Sequence, residues 1–411
     1  MRILQLCKKF PYPLKDGEAI AVNSISKSLH QLGCEVTLLA MNTTKHYFDT
    51  NQLPKNFNHY QSIHTVSLDN RIKPLAAFFN LFSNKSYHIA RFESATFRNK
   101  LIQLLQTQQF DLIQLESPYL APYISTIRQY SNAKIAMRAH NVEHEIWQRV
   151  AQNSRFILKK WYLKHLAKKL QRYEIEQLKN YDLLIPITQR DLDIFRFLGY
   201  NNKAIVAPIG VNGVDYKANF NSFQKELSLG FIGSLDWMPN QEGLHWFLDE
   251  VWQPLHKQFP QLTFHIAGRN APAWLRQLNL PNITFHGEVP DAATFINEHS
   301  LMIVPLFSGS GMRVKILESM ALGRVVITTS MGLEGIDACH HREVLLADTV
   351  ESFIEAIALC RQDATFAKQI SEQARNFVLQ HYNSPEIALQ LLQAYTQLLP
   401  EQHKALTLVE V

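Results

Sequence analysis

The sequence predicts an α/β protein made of two doubly wound, parallel-sheet domains that face each other across a cleft. Three observations lead there. Short continuous apolar segments alternate with helical patterns from one end of the chain to the other, and continuous rather than alternating apolar runs mean strands covered on both faces. The rhythm restarts after about residue 218. The 411 residues are enough for two domains with separate cores.

Taken in order, RILQLC (2–7) reads as the first strand. EAIAVNSISKSLHQLG follows as a helix closed by Gly33. EVTLLAM (35–41), DLIQLE (111–116), AKIAMRAH (133–140), DLLIPIT (182–188) and AIVAPIG (204–210) continue the strand series. In the second half LGFIGSL, TFHIAGR, NITFHGEV, SLMIVPL, RVVITT and EVLLAD are strands, separated by patterns such as EGLHWFLDEVWQPLHKQF, and residues 351–400 are helical. The expected division is an N-terminal domain over 1–217, a C-terminal domain over 218–384, and a last helix over 385–411 that packs back toward the first. A linker is expected around VNGVDYKANFNSFQKE. Ligands of open parallel sheets bind beyond the carboxyl ends of the strands, so the cleft between the domains is the expected site.

Composition narrows the class. Hydrophobic residues make up 46% and charged residues 19%, ordinary for a globular protein. The four cysteines are scattered with no CxxC, which argues against a zinc site or a disulfide framework and suits a reducing cytosol. The first residues read as a strand rather than a signal peptide, and no run approaches the roughly 18–20 apolar residues of a membrane span. Residues 1–217 carry a net charge of +13 and residues 218–411 one of −8. The basic half is therefore expected to meet something anionic.

Residues 309–323, GSGMRVKILESMALG, stand where the buried run LMIVPLF hands over to a helix. Gly309 and Gly311, on either side of Ser310, let backbone approach a ligand closely, and a helix N-terminus favours an anion there. Arg313 and Lys315 are expected in the first turn, where the dipole disfavours cations, so an anion is the expected occupant. A guanidinium fork and an ammonium suit a diphosphate. Glu318, three residues past Lys315, is placed to accept from a ribose diol. The bland reading is a glycine-rich capping loop with solvated charges. The motif is not a P-loop, and the loop after the first strand, CKKFPYPLKDGEA, has no GxGxxG.

PLFSGSGMRVKILESMALGRVVITTSMGLEGI resembles the signature of the retaining glycosyltransferases of family 4, which have the GT-B fold. FIGSLDWMPNQEGLHWF and RAHNVEHEIW resemble blocks of a bacterial polysaccharide branch of that family. The resemblance implies a nucleotide-diphosphate-sugar donor held by the C-terminal domain, an acceptor held by the N-terminal domain, no catalytic metal and no other cofactor. It makes Glu318 the second glutamate of the E-x7-E motif. The first falls at Ser310, a departure that leaves Ser310 and the Gly309 and Gly311 amides to grip the donor sugar. Where many relatives carry an Arg and a Lys, GSLDWMPN has Ser234 and Asn240, so Arg313 and Lys315, with Arg269 at the end of TFHIAGR, would carry the phosphate charge. HGEV, ending at Val289, would read the nucleobase through backbone groups. Gly17 matches the family's glycine near the donor phosphates, and His140, ending its strand, the histidine near the donor sugar. Both also have plain structural readings, as a helix N-terminus and a core histidine. Glu116, ending DLIQLE, is a candidate for the acceptor.

RFILKKWYLKHLAKKLQRYE (155–174) holds seven Lys/Arg among apolar and aromatic residues. This is the composition of an interfacial helix on an anionic membrane. An ordinary packed helix with solvated lysines is the alternative, and no base-reading module points to nucleic acid. The expected function is transfer of a sugar to a lipid-linked or glycan acceptor, with retention, in the cytoplasm or on the inner face of the cell membrane. A sugar-nucleotide epimerase of the same fold and a non-catalytic nucleotide-sugar binder are the alternatives.

Overall fold

A computed structural model describes residues 1–154, 156–309 and 311–400. The chain divides into two compact units. Unit 1 comprises Met1–Gly210 and the segment from Ser384 onward, and unit 2 is Val211–Asn383.

Unit 1 is built on a seven-stranded, wholly parallel sheet: β1 (Arg2–Cys7), β2 (Glu35–Thr43), β3 (Ser62–Leu68), β4 (Leu112–Leu115), β5 (Lys134–Ala139), β6 (Leu183–Pro186) and β7 (Lys203–Ala204), in the order β3-β2-β1-β4-β5-β6-β7. Two apolar clusters cover its faces. One includes Leu4, Leu6, Ile113, Leu115 and Ile135, and the other Ile3, Val36, Leu38, Leu112 and Ile185. Neighbouring residues of one strand thus fall in opposite clusters, which is why these strands are apolar throughout. The Ser384–Thr396 helix belongs to this unit and supplies Ile387, Leu391 and Tyr395 to the second cluster.

Unit 2 repeats the plan with six parallel strands: β8 (Ser228–Ile232), β9 (Thr263–Ala267), β10 (Ile283–Gly287), β11 (Leu301–Val304), β12 (Val325–Thr328) and β13 (Leu345–Leu346), in the order β10-β9-β8-β11-β12-β13. Its core joins Leu229, Phe231, Phe264, Ile266, Ile303 and Ile327 to Trp252, Phe247 and Phe353. In both sheets strand order reverses beside the first strand, at β1/β4 and at β8/β11. Those switch points are where open α/β sheets take ligands, at the strands' carboxyl ends.

The elements depart from the sequence reading in three places. SIHTVSL is an edge strand that the apolar-run criterion passed over, because only Val66 in it is buried. AIVAPIG contributes only Ala204 to its strand, and EVLLAD only Leu345 and Leu346. Residues 211–217 fall in unit 2, and 211–226 is integral to it rather than a loose connection. Val211 donates to the Tyr382 carbonyl at 2.8 Å. The buried guanidinium of Arg324 donates to Asn219 O (2.6 Å) and to the Ser222 and Leu322 oxygens.

Candidate functional site

At the β8/β11 switch point, the loops that follow the two strands converge. The first ends at Trp237, the residue before the Met238–Trp246 helix. The second runs from Pro305 to Arg313 and opens the Val314–Ala321 helix. Arg313 is the N-cap of that helix in extended conformation, one step before the first turn in which the sequence reading put it, and Lys315 is its second residue. Among the described residues no side chain caps the helix. The Ile316 N–H already donates to the Arg313 carbonyl at 2.9 Å, so it is the N–H groups of Val314 and Lys315 that suit an anion.

The guanidinium of Arg313 lies 5.7 Å from the Trp237 ring centroid, and only 6% of Arg313 is exposed. Gly309 passes beneath both. Its φ is +108°, and a Cβ built there would stand 2.9 Å from Arg313 Nη2 and 3.2 Å from the indole. The positive φ is what calls for glycine here, and the space beside it is tight. Gly311 also has positive φ, +79°. Ser310 lies outside the described residues.

Lys315 reaches across to the first turn of the Met238–Trp246 helix. Its Nζ donates to Asn240 Oδ1 at 3.0 Å and sits 4.5 Å from the Phe231 ring centroid. Asn240 is held in turn by its Nδ2 bond to Ser234 O at 2.8 Å. Burial, reinforced by the Arg313 charge, lowers the Lys315 ammonium to about 7. Glu318 accepts from the Tyr216 hydroxyl at 2.9 Å. Burial raises its carboxyl to about 7, with the Tyr216 hydrogen bond acting against the rise and Asp291 adding to it. Tyr216 is fixed by Arg375, which donates to its carbonyl at 2.9 Å.

Around this centre, Arg269 follows β9 and donates through Nε to Ser234 Oγ at 3.3 Å, while the Gly268 N–H donates to Gly287 O at 2.7 Å. That bond joins the loop after β9 to the end of β10, two residues before the half-buried Val289. The sequence-predicted residues Gly309, Gly311, Arg313, Lys315 and Glu318 thus gather at one helix entrance, with Arg269 and Val289 on the neighbouring loops. Sequence reasoning missed Trp237 and Tyr216. The aromatic in DWMPN, at the first βα loop of the second unit, was a usable signal. Tyr216 had none, since it stands in a polar segment read as a linker.

The β1/β4 switch point of unit 1 carries a different cluster. Glu116 is fully buried. One of its oxygens accepts from Gln5 at 2.5 Å and from Gln114. The other meets His140 Nε2 at 2.9 Å and Arg138 Nη1 at 3.8 Å. Burial alone would raise the Glu116 carboxyl, but the His140 hydrogen bond, the Arg138 and His140 charges and the Gln5 bond outweigh it and hold it below the usual range. Glu116 is thus engaged from within. The carboxylate that the sequence reading offered to an acceptor has all of these contacts inside unit 1. His140 itself is 8% exposed, at the end of β5.

Beside this pair, Lys8 lies between Glu18 (3.5 Å) and Glu143 (3.7 Å), and Lys9 between Asp16 (2.7 Å) and Glu18 (3.4 Å). Gly17 opens the Gly17–Gln31 helix, capped by Asp16, which accepts from the Ala19 N–H at 3.0 Å. Glu143 and His144 begin a helix, and Glu174 accepts from both of their amides.

Comparison with known proteins adds to this geometry. Residues 226–363 match the family described as "Glycosyl transferases group 1". A Klebsiella pneumoniae protein described as an "Uncharacterized 44.6 kDa protein in cps region" is 22% identical over 302 residues, 71% of this chain and 75% of its own length. Among solved structures, sucrose-phosphate synthase from Thermosynechococcus elongatus superposes with a TM-score of 0.70 at 18% identity, covering 97% of this chain and 99% of that one. Anabaena HepE in complex with UDP gives 0.68 at 16% identity, covering 97% and 100%. S. aureus TarM, in a complex with Fondaparinux, alpha-GlcNAc-glycerol and UDP, gives 0.70 at 12% identity, covering 96% and 99%. The fold is therefore that of GT-B glycosyltransferases, two Rossmann-like units, and the family match lies within the second unit.

Proposed function

We propose that this protein is a glycosyltransferase that takes a sugar from a nucleotide-diphosphate donor bound by unit 2 and passes it to a hydroxyl of a lipid-linked or glycan acceptor bound by unit 1. The observation that carries the reading is the entrance of the Val314–Ala321 helix. There Arg313 and Lys315 stand at the helix N-terminus while Glu318 waits behind them. Two cations beside a helix N-terminus suit a diphosphate leaving group, and Glu318 suits a ribose diol. The reaction breaks the bond between the anomeric carbon and the phosphate oxygen and forms one to the acceptor oxygen. Arg313, Lys315 and the helix amides stabilise the charge that develops on the departing diphosphate.

In this reading Arg269 assists the diphosphate, and the backbone near Val289 meets the base. The amides of Gly309 and Gly311, with Ser310, hold the sugar. Gly17 lies near the phosphates, and His140, oriented by Glu116, meets the donor sugar. Transfer proceeds with retention and without a metal, as the family resemblance implies. UDP is the first choice of nucleotide because HepE and TarM are described in complexes with it. The cps-region relative supports a place in surface-polysaccharide synthesis. The basic side of the Ile157–Leu178 helix faces an anionic membrane. Among the described residues no helix is long and apolar enough to cross one.

The test is a thermal-shift series with UDP, GDP, ADP and their sugar conjugates, followed by turnover assays with and without EDTA. A selective rise in Tm with one nucleotide diphosphate is expected by mass action, with turnover indifferent to EDTA. Arg313→Ala should abolish the shift and lower kcat by roughly 10²–10³-fold. An unchanged rate in that variant would exclude the assignment. Binding without turnover on any acceptor would favour the non-catalytic binder.

A further inference from the structure

Residues 70–92 and 153–173 together hold eleven Lys/Arg and not one Asp or Glu. The first of these segments had no role in the sequence reading. It contains the Pro74–Asn80 helix, which packs on the Ile157–Leu178 helix through a small apolar contact of Ala77 with Leu166, Tyr87 and Tyr162. Lys169 secures the pair, donating to Asn80 O at 2.5 Å and Leu81 O at 3.3 Å. The two elements therefore form one local body within unit 1.

What they leave outside is unusual. Ile72, Leu75, Phe78, Phe79 and Phe82 are each at least 55% exposed. Phe78 makes edge contacts with Phe79 and Phe82 at 5.8 and 5.9 Å, so the rings form a cluster. On the long helix the apolar face divides. Leu163, Leu166 and Leu170 are buried, whereas Phe156, Ile157, Leu158 and Trp161 at its start are at least 60% exposed. Lys159, Lys164 and Lys168 extend the basic character along the same helix, all exposed. Large apolar surface with a cationic rim marks an interaction site.

We propose that residues 72–82 form a lipid-inserting element. The phenylalanine cluster and the start of the Ile157–Leu178 helix enter the headgroup–acyl boundary of an anionic membrane together, and the lysines of the long helix bind its phosphates. Charge decides among occupants. Asp69 pairs with Arg71 at 2.9 Å, but Lys and Arg remain in large excess, so a second copy of the chain would set one basic face against another. Nucleic acid satisfies lysines but offers no medium for Ile72, Leu75, Ile157 and Leu158. An anionic bilayer supplies both partners at once, and a short aromatic helix beside a basic one has the amphipathic composition of an interfacial anchor.

The experiment is flotation of the full-length protein with phosphatidylcholine vesicles, with and without phosphatidylglycerol, alongside its oligomeric state in solution. The wild type should float only with the anionic vesicles. The triple variant Phe78→Ser/Phe79→Ser/Phe82→Ser should bind at least about tenfold more weakly, because each ring loses most of its apolar area. Lys159→Gln/Lys164→Gln/Lys168→Gln should lose the lipid selectivity. As these side chains are exposed, both variants should keep the wild-type circular dichroism and UDP-induced Tm shift, which separates failure at this surface from failure of the transferase reading. Equal flotation of the phenylalanine variant, or no flotation by the wild type, would overturn the proposal. A wild-type dimer that the same variant converts to monomer would instead assign the face to self-association.

Discussion

Both units gather charged side chains at the carboxyl end of a parallel sheet, but they balance them in opposite ways. In unit 1 each charge is answered from within. Glu116 faces His140 and Arg138, Lys8 faces Glu18 and Glu143, and Lys9 faces Asp16 and Glu18. In unit 2, among the described residues, neither Lys315 nor Glu318 forms an ion pair, and each has a neutral partner, Asn240 or Tyr216. The result shows in their protonation. Lys8 is held above its ordinary value, because Glu18 and Glu143 outweigh the lowering by burial. Lys315 is lowered to about 7 by the same burial without such compensation. A protein-satisfied cluster is a rigid positioning device, whereas an uncompensated one is complementary to something that arrives later.

The largest effect that tests this contrast is on unit 1. Glu116→Ala should cost about 3–5 kcal/mol in denaturant titration, because it leaves the buried Arg138 and His140 without their carboxylate. A loss below about 1 kcal/mol would mean that the cluster does not balance itself.

Unit 2 should respond with the reverse sign. Lys315 has a folded value of about 7 against an ordinary 10.5, so its ammonium opposes folding fully below about pH 7 and ceases to do so as pH rises to 10.5. Lys315→Met should therefore stabilise the ligand-free protein by about 1 kcal/mol at pH 6, after allowance for the water this partly exposed group still sees. That gain should fade toward pH 10.5. Glu318, at about 7 against 4.5, opposes folding only when ionised. Glu318→Gln should thus be neutral below pH 4.5 and stabilising by a similar amount above pH 7. Tm measured across pH for both variants checks the signs, and destabilisation by either would show that its partners already compensate it.

The smallest effect concerns Tyr216. Tyr216→Phe removes one hydrogen bond to a carboxylate, of about 1.5–3 kcal/mol at most. It should raise the donor KM about three- to tenfold with kcat little changed, since Glu318 is expected to hold the ribose rather than the reacting atoms. A fall in kcat at constant KM would place Tyr216 closer to the chemistry.

Much of the fold was legible because buried parallel strands must be apolar on both faces. β1, β4, β5, β6, β11 and β12 all announce themselves in that way. β3 did not, since an edge strand can stay half-exposed. β7 and β13 are shorter than their apolar runs, because apolar character records burial and not pairing. The site was legible where its chemistry lies in consecutive residues, as in GSGMRVKILE. It was not legible at Tyr216 or the Gln5–Glu116–His140 contact, and at Trp237 it was legible only through the aromatic of DWMPN. The first two depend on residues brought together from separate segments, and no local pattern encodes them.

The order of apolar and helical segments, the split of charge between the halves and the glycine–cation entrance at 309–318 follow from the chain alone, because they rest on local periodicity and residue chemistry. Which groups are charged, and for whom, was decided only by the tertiary structure. Glu116 and Glu318 are the same residue type near strand or helix termini. One is locked by a histidine and an arginine, and the other is left with a tyrosine. The difference is burial and neighbours, and both arise from packing.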